Sequence, residues 1–109
     1  MTASSEYAQY VLELMEPVGD VQTNRFFGGI GISSGAVQFA MVMGNTLYFR
    51  VDDTTRADYE AAGSAPFSYT TKKGVVQVRT YFRAPEALLD DRDLLVAWAH
   101  RAIAAAAPR

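Results

Sequence analysis

Hydrophobic and polar positions change their spacing along this chain, and each change predicts a change of secondary structure. Near the N-terminus apolar residues recur every three or four positions, which predicts an amphipathic helix over 5–16. From position 21 the period falls to two, which predicts strands over 21–27, 36–43, 47–51, 66–69 and 75–83. Helical spacing returns over 54–62 and 91–106, where it predicts two further helices.

Strands grouped between helices favour an α+β fold in the order α-βββ-α-ββ-α. Short turns at 44–45 and 72–74 predict antiparallel neighbours. We therefore expect a two-layer sandwich in which a five-stranded antiparallel sheet carries the helices on one face. A length of 109 residues suits one hydrophobic core, so the range 1–109 is expected to form a single domain.

Alternation along the strands assigns their side chains to two faces of the sheet. The face toward the helices is expected to hold Phe39, Met41, Leu47, Phe49, Val76, Val78 and Phe82. The open face is expected to hold Gln38, Tyr48, Arg50, Gln77, Arg79, Tyr81 and Arg83. The charges follow the same division, because all twelve acidic residues lie in 6–20, 52–60 and 86–93, mostly in the predicted helices and their caps.

The arginines and tyrosines of the open face form the candidate partner or nucleic-acid surface: Tyr48, Arg50, Arg79, Tyr81 and Arg83. Such a surface could stack on bases and pair with phosphates, or anchor a second copy or another protein. It could also simply cover an exposed sheet through cross-strand pairs. A net charge of −2 argues against strong non-specific DNA binding, which needs a basic patch.

A glycine-rich corner follows the first predicted strand and contains Phe27, Gly28, Gly29 and Gly31. It fits neither a P-loop nor a dinucleotide-binding turn, and the segment after it is a strand rather than a helix. We favour a structural corner that folds the first hairpin. A small-ligand pocket against Phe26 and Phe27 remains the alternative.

The remaining chemistry is sparse, so we expect no catalytic, metal or cofactor site and no enzymatic activity. Cysteine is absent, which excludes disulfides and thiolate sites. The one histidine, His100, has no carboxylate at helical spacing, and Asp52 and Asp53 suit the capping of a helix. No apolar run reaches the roughly 20 residues of a membrane span, and no signal peptide is recognisable, so we expect a cytoplasmic protein with no membrane partner.

Ordered motifs run through nearly the whole chain: Phe27-Gly28-Gly29-Ile30-Gly31, Phe39-Ala40, Leu47-Tyr48-Phe49-Arg50-Val51-Asp52, Pro66-Phe67-Ser68-Tyr69 and Tyr81-Phe82-Arg83-Ala84-Pro85-Glu86. Together they resemble the N-terminal domain of the TfoX/Sxy family. The resemblance implies a fold similar to that of secretion chaperones and a link to transcriptional regulation of natural competence. It implies no catalytic residues. Full-length regulators of that family carry a further helical domain. This sequence shows only the N-terminal pattern, so we expect a stand-alone N-terminal domain here.

The leading hypothesis is thus a non-enzymatic regulatory or protein-interaction domain of this type, whose partner is another protein or a second copy in a homodimer. A nucleic-acid-binding module that uses the basic and aromatic sheet face is the first alternative. A small-ligand-binding domain with its pocket at the glycine-rich corner is the second.

Overall fold

The computed structural model describes residues 5–107 of the chain. Three α-helices and six β-strands make up the fold: α1 (Ser5–Leu14), β1 (Val21–Phe26), β2 (Gly29–Ser34), β3 (Val37–Met43), β4 (Thr46–Arg50), α2 (Arg56–Ala61), β5 (Pro66–Thr71), β6 (Gly74–Arg83) and α3 (Arg92–Ala106). Short 3₁₀ turns follow α1 at Glu16–Val18 and precede α3 at Glu86–Asp90. The α+β class is confirmed. None of the helices within 5–107 combines the length and the apolar character needed to cross a membrane.

The sheet is antiparallel throughout, in the spatial order β1-β2-β3-β4-β6-β5. It contains six strands rather than the expected five, because the glycine-rich segment after residue 28 is itself strand β2. Because glycine is depleted in strands, the sequence of this segment predicts a corner rather than a strand. The turn proper consists of only two residues, Phe27 and Gly28, with φ values of 48° and 81°. Positive φ at both positions matches the twist of a tight hairpin.

One face of the sheet packs against the helices and forms the main core. The predicted inward positions Phe39, Leu47, Phe49 and Phe82 are confirmed there, and all four are buried. From α3, Leu95, Ala99 and Ala102 pack into the same cluster. The small alanines let α3 lie close to β3 and β4, which lie in the middle of the sheet.

Two register shifts overturn part of the predicted division into faces. Opposite β2, the pairing of β3 skips Phe39, so Met41 lies on the face away from the helices rather than in the main core. In β6, Pro66 of β5 pairs with Phe82 but the next residue pairs with Val78, which places Val78 on that same outer face. Since side chains alternate beyond the shift, Val76 and Gln77 also exchange faces relative to the prediction.

The sheet curls strongly away from the helices. Three strands separate β1 from β6, so a flat sheet would hold them about 19 Å apart. Instead the ring centroids of Phe26 in β1 and Tyr81 in β6 are 6.4 Å apart. The outer face is therefore concave, and its two ends approach each other above the central strands.

Candidate interaction site on the concave sheet face

The concave face encloses an apolar cavity of about 480 Å³, which we call the sheet-face cavity. This volume is within the range typical of ligand sites. Its lining comes from the first hairpin and from β3, β5 and β6, and consists of Phe26, Phe27, Met41, Met43, Phe67, Tyr69, Val78 and Tyr81. All of these side chains are aromatic, thioether or aliphatic.

Met41, Met43 and Tyr81 form the buried base of this cavity. They make up a second apolar cluster, separate from the main core, and no residue of a described helix belongs to it. Edge-to-face contacts hold the aromatic walls in place, with ring centroids 4.7 Å apart for Phe26 and Phe27. Such contacts fix ring orientation as well as adding burial. The cavity is therefore built into the sheet and needs no rearrangement to form.

Phe27 is the most unusual residue at the cavity. Its side chain is 84% exposed, and its backbone has a φ of 48°. A left-handed conformation costs an ordinary residue roughly 1–2 kcal/mol, and asparagine or glycine is the usual choice in such a turn. A strained backbone that presents an exposed aromatic ring at an apolar cavity is a feature typical of binding sites.

The neighbouring glycines of β2 pack closely against β3. A Cβ atom on Gly29 would collide with the sulfur of Met43 and the carbonyl oxygen of Val42. One on Gly31 would come within 2.6 Å of the Gln38 side-chain oxygen. These contacts leave no space for a ligand at the glycines themselves. The cavity instead lies beside them, and Phe26 and Phe27 form its wall.

The structure brings four residues of the predicted partner surface to the outer face. Tyr48 pairs across the strands with Arg83, and Arg50 pairs with Tyr81. Tyr48 lies edge-on to Phe67 with centroids 5.2 Å apart. Burial raises the pKa of the Tyr48 phenol, and the nearby Arg83 guanidinium opposes that rise.

The three arginines of that surface have different environments. Arg79 lies apart from the others, because it faces α2 and forms an ion pair with Glu60 at 3.6 Å. Arg83 forms an ion pair with Glu86 at 3.2 Å. Only Arg50 lies against the base of the cavity, with its guanidinium carbon 5.7 Å from the Tyr81 ring centroid. Its Nε is buried and has no hydrogen-bond partner among the described residues.

The side-chain amide of Gln38 adds a polar group beside Tyr81 on the outer face. The side-chain amide of Gln38 donates a hydrogen bond to the Tyr81 hydroxyl at 3.2 Å. This contact connects β3 to β6 across β4 and helps to fix the Tyr81 ring. The cavity thus combines an apolar lining with a small polar and cationic border.

Electrostatically, the six strands contain no aspartate or glutamate at all. Arg25 lies next to Phe26 on the outermost strand β1, and Lys72 and Lys73 form the tip of the hairpin between β5 and β6. Within 5–107, no group of three or more histidine, aspartate or glutamate side chains could hold a metal ion. The strands therefore bring no acidic side chain to the concave face, while Arg25, which alternates with Phe26 along β1, lies on the opposite face of the sheet.

Sequence reasoning missed most of the cavity lining, including Met41, Met43, Phe67, Tyr69 and Val78. One signal was available in the uninterrupted apolar run of 39–43. Such a run is typical of a strand buried on both faces, whereas a half-exposed strand alternates. The run indicates that something apolar lies on each side of β3.

These features define the class of protein: a two-layer α+β domain whose sheet is covered by helices on one face and bears an apolar cavity on the other. The chain belongs to the TfoX N-terminal domain family, which matches residues 13–106. The resemblance drawn from the ordered motifs is thereby confirmed. Comparison with curated proteins finds no match to the chain.

Proposed function

We propose that this chain is a non-enzymatic protein-interaction domain that acts in regulation through its sheet-face cavity. The observation that carries the proposal is Phe27, an exposed aromatic ring held by a strained turn beside an apolar cavity. Exposed apolar surface of this kind marks interaction sites in soluble proteins. Aromatic anchors that insert into or line pockets supply most of the energy in such interfaces.

The non-enzymatic character rests on the chemistry of the lining. No carboxylate, imidazole, amine or guanidinium belongs to it, and its only ionisable side chains are the phenols of Tyr69 and Tyr81. Binding is the chemistry that such a lining supports.

The regulatory role rests on family membership. Better-known members of the TfoX/Sxy family act in transcriptional regulation of natural competence, and this chain shares their N-terminal domain. A role in transcription implies a cytoplasmic protein that works by contacting another protein. Self-association into a homodimer is one form that such contact can take.

The expected loss of binding free energy on removal of the Phe27 ring follows from the area that the ring can bury against a partner. Full burial of a phenylalanine side chain contributes about 1.5–3 kcal/mol, and Phe27 has most of its surface available. Loss of this ring should weaken binding by at least about tenfold, since 1.4 kcal/mol corresponds to one decade.

The test is capture of proteins from a native extract with the wild-type chain and with the Phe27→Asn variant. Leu94→Asn is the matched control, because Leu94 is an exposed apolar residue on α3, outside the cavity lining. Proteins retained by the wild type and by the control, but lost with Phe27→Asn, support the proposal. Retention of the same proteins by all three contradicts it.

A second candidate function, binding of a small apolar molecule, is favoured by the volume of the cavity alone. Its test is the fluorescence of 1-anilinonaphthalene-8-sulfonate, which increases in apolar surroundings. Enhancement with the folded wild-type chain that is reduced by Phe27→Asn supports this candidate. The absence of enhancement argues against it.

A further inference from the structure

We propose that a second copy of this chain pairs with the outer edge of β5, so that the two sheets join into one across a two-fold axis. This contact goes beyond the proposed function, because it uses the edge of the sheet rather than the cavity. Three features of the described residues carry it: a projecting arm of two strands, an unprotected strand edge, and exposed apolar side chains that a second copy would align.

Strands β5 and β6 form an arm that extends beyond the rest of the sheet. β4 pairs only with residues 81–83 of β6, whereas β5 pairs with β6 as far as Gly74 at the hairpin turn. Residues 74–78 of β6 therefore have β5 as their only neighbouring strand in the part of the chain that the structure describes. A hairpin of two strands alone is marginally stable in water, and further strands stabilise it.

The outer edge of β5 lacks the features that usually prevent strand pairing. Pro66 and a register shift protect only the beginning of the strand. From 67 to 71 it contains no charged residue, no proline and no further irregularity, and residues 68–71 are exposed. Exposed neutral edges of this kind pair readily with other strands. The edge is therefore open to a further strand.

The arm also carries much of the exposed apolar surface. Tyr69, Val75 and Val76 are 47%, 68% and 38% exposed, and they are three of the six large apolar residues with exposed side chains in the described part of the chain. Tyr69 pairs with Val76 across the strands, so both lie on the concave face. Burial of such surface against a partner is favourable.

The occupant that matches this edge is a second copy, because it presents the same neutral strand with the same apolar neighbours. In an antiparallel pairing centred on Tyr69, the tyrosines of the two copies lie side by side, and each is flanked by its own Val76. The two arms then form a four-stranded sheet with an unbroken apolar row on its concave side. The contact is isologous, as in most homodimers.

The positive charges of the arm do not oppose this pairing. Lys72 lies three residues from the centre of the pairing, so the two copies of this lysine are six residues, or about 20 Å, apart. That distance is well beyond the screening length of about 8 Å at physiological salt. The antiparallel arrangement also directs the two hairpin turns away from each other.

The opposite edge of the sheet, β1, fits a second copy less well. Arg25 brings a charge into this strand, and charged side chains are a common protection of sheet edges. None of the large apolar residues with exposed side chains belongs to β1. β1 therefore offers an edge without the apolar surface that would stabilise the contact.

The experiment is light scattering after size exclusion over a series of protein concentrations. We expect a dimer whose fraction rises with concentration, because contact along one short strand is smaller than a permanent interface. The variant Ser68→Lys/Thr70→Lys should raise the dimer Kd at least tenfold, since each new lysine lies opposite a lysine of the other copy. Both positions alternate with Phe67 and Tyr69, so the variant leaves the cavity lining intact.

Two control variants separate pairing from other effects of the substitution. Gln22→Lys/Asn24→Lys adds the same charge at exposed positions of β1 and should leave the Kd unchanged. Thr70→Val keeps a neutral β-branched residue at the edge and should preserve the dimer. Circular dichroism checks that each variant is folded.

Disulfide formation tests the register of the pairing directly. The chain contains no cysteine, so introduced cysteines report only on their own contact. In the pairing centred on Tyr69, Ser68 lies opposite Thr70 of the other copy, at the Cα separation of about 5 Å that a disulfide accommodates. A mixture of Ser68→Cys and Thr70→Cys chains should therefore form a mixed disulfide dimer. A mixture of Asn24→Cys and Thr70→Cys chains should not.

Several results would overturn the inference. A chain that remains monomeric at every concentration and forms no mixed disulfide does so, even if another protein binds to β5. A dimer that tolerates Ser68→Lys/Thr70→Lys but dissociates with Phe27→Asn places the contact at the cavity, which supports the proposed function instead. A dimer weakened by Gln22→Lys/Asn24→Lys uses β1. Conversely, capture of the same proteins by wild type and Phe27→Asn contradicts the proposed function and leaves the β5 contact in place.

Discussion

Replacement of Phe27 by asparagine should weaken the proposed binding while leaving the stability of the fold unchanged. Asparagine tolerates the left-handed conformation, and an Asn-Gly pair is the preferred sequence for this type of hairpin turn. The substitution thus keeps the turn and removes the exposed ring. If Phe27 is present for binding, the fold should not require it.

The expected magnitude comes from two opposing terms. Relief of backbone strain contributes up to about 1 kcal/mol, since the left-handed region costs an ordinary residue roughly 1–2 kcal/mol and asparagine less. Loss of the edge contact with Phe26 costs about 0.5 kcal/mol, the low end for aromatic pairs, because the Phe27 ring is mostly exposed. The free energy of unfolding should therefore stay unchanged or rise by about 0.5 kcal/mol.

The assay is urea unfolding followed by the fluorescence of Trp98, which is the only tryptophan in the chain. Trp98 packs edge-on against Tyr59 with centroids 4.7 Å apart, so its signal follows the helical layer rather than the substituted turn. The parallel substitution Phe26→Asn serves as a contrast, because it places an amide in a half-buried apolar position. It should lower the free energy of unfolding by about 1.5 kcal/mol or more.

A loss of more than about 1 kcal/mol in Phe27→Asn would refute this reasoning. Such a result would mean that the exposed ring stabilises the fold through its contact with Phe26. The strained turn would then be a structural device, and it would no longer point to a binding function.

The remaining predictions concern the sheet and its two faces. Gly29→Ala should lower the free energy of unfolding by about 1–3 kcal/mol in urea titrations, because its methyl group would collide with β3. Leu95→Ala should cost about 2–5 kcal/mol, measured by thermal unfolding, since Leu95 is fully buried between α3 and the sheet. Arg79→Ala should change stability by less than about 1 kcal/mol, because it removes only an exposed ion pair with Glu60. The same Arg79→Ala variant should capture the same proteins from a native extract as the wild type, because Arg79 faces α2 rather than the cavity.

A different result for each variant would contradict the structural reason given for it. A stable Gly29→Ala variant would mean that β2 and β3 lie further apart than the structure has them. An Arg79→Ala variant that no longer captures these proteins would mean that this arginine reaches the concave face. For Leu95, the neighbouring exposed Leu94 provides the control, and Leu94→Ala should cost well under half as much.

The helices were the most predictable part of this chain. The spacing of apolar residues predicts α1 and α3 nearly to their ends, because an apolar stripe over ten residues or more repeats at the period of a helix and not of a strand. The antiparallel pairing was equally accessible from the short turns. The correct fold class follows from these two features alone.

The division of the sheet into faces was less predictable. A shift of one residue moves every following side chain to the other face of the sheet. The pattern of hydrophobic and polar residues does not predict where such a shift occurs. The irregularities opposite Phe39 and after Pro66 each have this effect. Met41 and Val78 were assigned to the core for this reason, and Arg79 to the open face. The cavity also depends on the curl of the sheet, which is a property of all six strands together.

The presence of two separate apolar clusters has a consequence for how the family can diversify. The main core of helices and inner sheet face constrains Phe39, Phe49 and Phe82, whereas the outer cluster constrains a different set of side chains. Strands β1, β3, β4 and β6 thus each carry two sets of positions, one packed against the main core and one against the outer cluster. If the proposed interaction is correct, substitutions in the outer set change what the domain binds while the inner set preserves its shape. The two clusters can therefore accept substitutions independently of each other.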